Sequence, residues 1–108
     1  MNEEKKLEVI MGLIMNSGEA KSYAMEAIRS AKEFKFQEAD NYLKEANNSL
    51  NIAHNSQTEL LTQEASGEPV NISLLMVHGQ DHLMTSLNFI DLAKEVIDVY
   101  KEIYKLSN

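Results

Sequence analysis

The chain has 108 residues, with one proline, four glycines, no cysteine and a formal net charge of −7. That length fits one domain with a single core, the lack of cysteine excludes disulfides, thiol catalysis and cysteine-held zinc, and so few breakers suit long helices rather than a sandwich or barrel. The charge argues against nucleic acid as a partner, since phosphate binding needs a concentrated basic face, yet it permits attraction to a basic protein surface.

A first helix is expected over about residues 3–33. Its apolar positions are Leu7, Ile10, Met11, Ile14, Ala20, Ala24, Ala27, Ile28 and Ala31. Asn16-Ser17-Gly18 interrupts its middle, which calls for a kink or a close contact with another helix. Met1 to Lys6 are polar, and no apolar run approaches the length of a signal peptide or a membrane span. A cytoplasmic chain with no membrane insertion is expected.

A second helix is expected over about residues 36–65. Phe36, Ala39, Leu43, Ala46, Leu50 and Ala53 alternate spacings of three and four, and the next place in that seam is Gln57. Gln57 is therefore a candidate to hydrogen-bond across the bundle to the layer of His78 on the third helix. His54, beside Asn55 and Ser56, reads as a surface or partly buried histidine. Ser66-Gly67-Glu68-Pro69-Val70 ends this helix, because glycine can close one helix and proline cannot continue it.

Asn71 is expected to cap a third helix reaching about Leu106. This helix carries two apolar faces. One contains Leu74, Leu75, Phe89, Leu92, Val96 and Tyr100; the other contains Ile72, Met76, Leu83, Leu87, Ile90, Ala93, Ile97 and Tyr104. Gln80, Asn88, Asp91, Glu95, Asp98 and Glu102 leave only a narrow polar side. One apolar face suffices inside a three-helix monomer, so the surplus predicts self-association. The six methionines read as core filler, except Met84, which with Val77 and Gln80 forms a candidate docking patch.

His78, Asp81 and His82 follow one another at i, i+3 and i+4 on that helix, continuous with the stripe of Leu74 and Phe89. Titratable groups set into an apolar stripe are costly unless paired, ligated or used in chemistry. Three readings of the trio stand. In the first, a neutral imidazole of His78 attacks a phosphoryl donor, with His82 and Gln80 as supports. In the second, two histidines and a carboxylate hold zinc or a similar ion, although the order differs from the zinc-protease HExxH pattern. In the third, the trio is a polar layer that fixes register in a helical bundle.

The stretch from Ser73 to Ser86, which contains Val77-His78-Gly79-Gln80-Asp81-His82-Leu83-Met84, resembles the signature of the enzyme IIA component of the lactose/cellobiose (N,N'-diacetylchitobiose) class of the bacterial sugar phosphotransferase system. Ser17-Gly18-Glu19-Ala20-Lys21-Ser22, Ala39-Asp40 with Leu43-Lys44-Glu45-Ala46, and Ala53-His54 with Gln57-Thr58 are similar to that family's other recurrent segments. The likeness spans nearly the whole chain.

The resemblance implies an all-α fold, a three-helix up-and-down antiparallel bundle like a spectrin repeat, occupying residues 1–108 as one domain and assembling into a homotrimer. It implies a phosphoryl carrier that accepts phosphate from the phosphocarrier protein HPr on His78, at Nε2, and passes it to the IIB component for uptake of a β-linked disaccharide such as cellobiose, lactose or chitobiose. It implies that Asp81 of three subunits shares one magnesium ion near the trimer axis. Three carboxylates converging in an apolar bundle repel, and a hard divalent cation removes that cost. His82 and Gln80 are implied supports of His78. The alternative is a helical metal-binding or scaffold protein using His78, Asp81 and His82. Gly79 stands where the family commonly has alanine, which predicts a site helix less stable by about 1 kcal/mol.

Overall fold

The structure, a computed structural model, describes residues 1–107. It consists of α1 (Glu3–Lys32), α2 (Phe36–Ala65) and α3 (Leu74–Ser107), with no strand among the described residues. α1 begins where the Asn2 side chain accepts the Lys5 N–H at 2.7 Å, and Glu3 and Glu4 complement the positive end of the helix. It turns back at Phe34, which adopts φ 61°. A bulky residue in the left-handed region costs about 1–2 kcal/mol. The ring of Phe34 offsets this by packing against Phe36 and Tyr104, at centroid distances of 6.1 and 5.1 Å.

α2 closes at Gly67, whose φ of 95° suits a residue without a β-carbon. α3 starts later than the sequence pattern predicts. Its cap is Ser73, whose Oγ accepts the Met76 N–H at 3.1 Å, and not Asn71. Asn71 and Ile72 are exposed and Met76 is the first buried residue, so packing begins to hold the helix only there.

α1 and α2 run antiparallel, as do α2 and α3, so α1 and α3 are parallel. The pairs Tyr23–Tyr42, Gln57–Gln80 and Ser17–Ser86 fix these directions. The helices approach closely because small residues recur at intervals of seven: Ala39, Ala46 and Ala53 on α2, and Gly79, Ser86 and Ala93 on α3, all buried. The expected interruption at Asn16-Ser17-Gly18 is a close contact within an unbroken helix. Asn16 Nδ2 donates to the Gly12 carbonyl at 2.8 Å, and Ser86 Oγ donates to the carbonyl of buried Ser17 at 2.8 Å.

The core differs from the sequence reading in three respects. Val9 and Leu13 are buried on α1, whereas Leu7 and Met11 face outward. Of the methionines only Met76 is buried; Met1, Met11, Met15, Met25 and Met84 are exposed, so they are not core filler. On α3 the buried face is Met76, Gly79, Leu83, Ser86, Ile90, Ala93 and Ile97, close to the second expected stripe, though Ile72, Leu87 and Tyr104 lie outside it. The stripe that carries the histidines is not inside the chain's own core. Phe89, Val96 and Tyr100 are half-buried at its margin, and Leu74 and Leu92 are 86% and 59% exposed. Val99 and Leu106 continue the exposed row at seven-residue steps from Leu92, at 58% and 88% exposure. One helix cannot turn more than about a third of its circumference toward two neighbours, so the remaining apolar side stays uncovered.

Candidate functional site

His78 and His82 occupy the second and third turns of α3, on the flank beside α1. Their positions one turn apart bring the rings together: Nε2 of His82 lies 3.0 Å from Nε2 of His78, with centroids 4.3 Å apart and planes at 90°. One nitrogen carries the proton and donates to the lone pair of the other. His78 is exposed and His82 half-buried, so the outer ring is reachable while the inner one is restrained. Lys21 places its ammonium 5.8 Å from the Phe89 ring centroid, two turns beyond His82, a contact that no sequence signal announced.

The backbone behind this pair is held close to α1. Gly79 is buried, and a β-carbon built on it would stand 3.0 Å from Leu13 Cδ2 and 3.5 Å from Ile14 Cγ1. Helix propensity alone counts glycine here only as a loss of stability. The structure shows that it also makes room for Leu13.

Gln80 does not reach the histidines. It lies about 200° around the helix from His78, where its Oε1 accepts from Gln57 Nε2 at 2.6 Å and its Nε2 lies 4.0 Å from Met76 Sδ. The expected support of His78 by Gln80 is thereby corrected: the carboxamide ties α3 to α2. Gln57 crosses the bundle as its seam position predicts, to Gln80 rather than to a histidine. His54 is exposed on a groove of about 310 Å³ between α2 and α3, lined also by Leu50, Leu83, Met84 and Leu87. Val77 and Met84 of the expected docking patch are exposed.

Asp81 is exposed, and its carboxylate makes no ion pair among the described residues. Its place on the helix is next to the uncovered row of Leu74 and Leu92 rather than next to the imidazole nitrogens. Among the described residues, no three histidines and carboxylates gather into a metal site within the chain. The three-ligand set His78, Asp81 and His82 is therefore not assembled; the two imidazoles converge and the carboxylate faces elsewhere. Away from this region, Tyr23 on the α1–α2 surface is raised above the ordinary tyrosine pKa, chiefly by the Glu19 carboxylate, with burial and Glu45 adding to it.

Residues 8–101 match the family model described as the lactose/cellobiose-specific IIA subunit of the PTS system. The chain is 48% identical over 100 residues to the galactose-specific EIIA component of Lactococcus lactis subsp. cremoris, covering 93% of this chain and 86% of that protein. Its structure superimposes on the crystal structure of the cellobiose-specific enzyme IIA from Bacillus anthracis with a TM-score of 0.91 and 44% identity, over 97% of this chain and 94% of that one. It also superimposes on IIA(Chitobiose) from the solution structures of the IIA(Chitobiose)–HPr complex of Escherichia coli, with a TM-score of 0.80 and 38% identity, over 92% and 96% of the two chains.

Proposed function

Since this chain belongs to the lactose/cellobiose-specific IIA family of the sugar phosphotransferase system, and is thus a phosphotransferase component, we propose that His78 is the residue that carries the phosphoryl group. The observation that supports this reading is the exposed imidazole whose Nε2 is steadied by a second imidazole at 3.0 Å. In the productive tautomer His78 is protonated at Nδ1 and offers its Nε2 lone pair, while His82 Nε2–H donates to it.

Phospho-HPr is the donor. The lone pair of His78 Nε2 bonds to phosphorus as the donor's bond to phosphorus breaks and its electron pair returns to HPr. For this the His82 N–H first swings from His78 Nε2 to a phosphoryl oxygen, freeing the lone pair, and a donor is worth more there because the acceptor is charged. Transfer to IIB reverses these steps, and the phosphoryl group proceeds to a β-linked disaccharide in the cytoplasm. HPr as partner is supported by the complex of the chitobiose relative. The exposed patch of Val77 and Met84 offers apolar contact area near His78.

The uncovered row of Leu74, Leu92, Val99 and Leu106 supports a homotrimer in which three copies of α3 meet along their apolar sides. Asp81 borders that row and has no cation partner among the described residues, which fits a magnesium ion held by the carboxylates of three copies. Bound there, the ion would neutralise three converging negative charges. The histidine pair needs no part of it to offer its lone pair.

The test is intact mass after incubation with phosphoenolpyruvate, enzyme I and HPr. An acid-labile gain of one phosphoryl group is expected, absent in His78→Ala with its helicity retained. No gain with demonstrably active phospho-HPr refutes the relay.

A further inference from the structure

We infer that His78 and His82 also form a two-nitrogen chelate for a borderline divalent metal such as zinc or nickel, and that a metal bound there shuts off phosphoryl acceptance. The inference rests on the role proposed for His78 and adds a control to the same site. Its basis is geometric. Metal–imidazole bonds are about 2.0–2.1 Å long, so two nitrogens on one ion stand about 2.9 Å apart at a right angle and about 3.3 Å apart at the tetrahedral angle. The two Nε2 atoms are already 3.0 Å apart. They are carried by successive turns of one regular helix, so little ordering remains to be done on binding.

Both nitrogens must then present lone pairs. His82 gives up its Nε2 proton and takes one at Nδ1, a change of tautomer with no change in charge when both rings are neutral. Binding turns both rings about their Cβ–Cγ bonds, so that the lone pairs, which in the hydrogen-bonded pair lie near the Nε2–Nε2 line, converge on a point to one side of it. Water fills the remaining positions, because no third histidine or carboxylate within the chain joins the pair among the described residues. Magnesium does not compete, since a hard cation prefers oxygen donors and imidazole suits the borderline metals.

The consequence follows from electron counting. Acceptance uses the Nε2 lone pair of His78, and a metal bond uses the same pair. The loaded protein cannot attack phosphorus until the metal leaves.

Calorimetric titration of the purified protein with zinc alone, and separately with nickel alone, tests the chelate without any phosphoryl chemistry. Binding should weaken by about 100-fold or more in His78→Gln and in His82→Gln, the advantage of two linked ligands over one, and remain in His54→Gln, with added magnesium making no difference. Imidazole nitrogen NMR should show both Nε2 resonances shifting together. No binding, or binding that survives both substitutions, overturns the chelate. Acceptance from pre-formed phospho-HPr should stop with bound zinc and return with EDTA; acceptance at an unchanged rate by the loaded protein overturns the control. The two readings fail separately. A metal-free protein that takes no phosphate sinks the relay while the titration still decides the chelate.

Discussion

Gly79 and Leu13 fit one another across the α1–α3 interface: a β-carbon on Gly79 would stand 3.0 Å from Leu13 Cδ2, and Leu13 is 0% exposed, so its methyl must shift within the packed core. Alanine at position 79 gains about 1 kcal/mol of helix propensity and meets an overpacking cost of about 1–3 kcal/mol.

Gly79→Ala is therefore expected to leave stability unchanged or lower it. In a Leu13→Val background, which removes the Cδ methyls, the same substitution should stabilise by about 1 kcal/mol. Urea denaturation of the four proteins in the cycle measures the coupling. Equal effects of Gly79→Ala in both backgrounds would show that the contact is not felt.

Phe34 holds a left-handed backbone for the sake of its ring contacts. Phe34→Ala keeps the strain and loses the rings, whereas Phe34→Gly loses the rings and the strain together. The glycine variant should be the more stable of the two by about 1 kcal/mol, the reverse of the usual helix order. Thermal unfolding decides it, and alanine equal to or above glycine would remove strain from the account.

At the histidine pair, the tautomers assigned above predict nitrogen NMR signals of a protonated Nδ1 in His78 and a protonated Nε2 in His82. His82→Ala should slow phosphoryl acceptance by about 10²-fold, the usual worth of one well-placed donor. His82→Gln should recover part of that, because its amide N–H can still donate. Alanine and glutamine variants of equal rate would mean that the ring at position 82 acts by some means other than donating a hydrogen bond.

The trimer proposed on the exposed row of α3 predicts that Leu92→Asp gives a monomer with its helical content retained, measured by sedimentation. Asp81→Leu should keep the assembly, since it replaces converging charges by apolar contact, while lowering magnesium retained per trimer. A Leu92→Asp protein of undiminished size would place the self-association surface elsewhere. Unchanged magnesium in Asp81→Leu would do the same for the ion.

Much of the fold could be read from spacing alone. The heptad seam of Ala39, Ala46 and Ala53 and the break at Gly67 and Pro69 located α2 and its end to the residue. The pattern does not single out Leu13 and Val9, because their apolar neighbours Leu7, Met11 and Ile14 blur the stripe, and only the placement of α1 between α2 and α3 chooses among them. Val99 and Leu106 were legible in principle, as seven-residue steps from Leu92, but a pattern cannot say which of two apolar faces a chain covers itself.

The sequence by itself determined the elements and the chemistry: helical periodicity set three long helices, and His78 and His82 at i and i+4 placed two imidazoles on one face, because both follow from local geometry. Tertiary structure decided what each face meets. It turned Gln80 toward Gln57 and away from the histidines, set Gly79 against Leu13, and left Asp81 beside an uncovered apolar row. These are contacts between residues distant in the chain, and they depend on how three helices rotate about their own axes to bury small residues against one another.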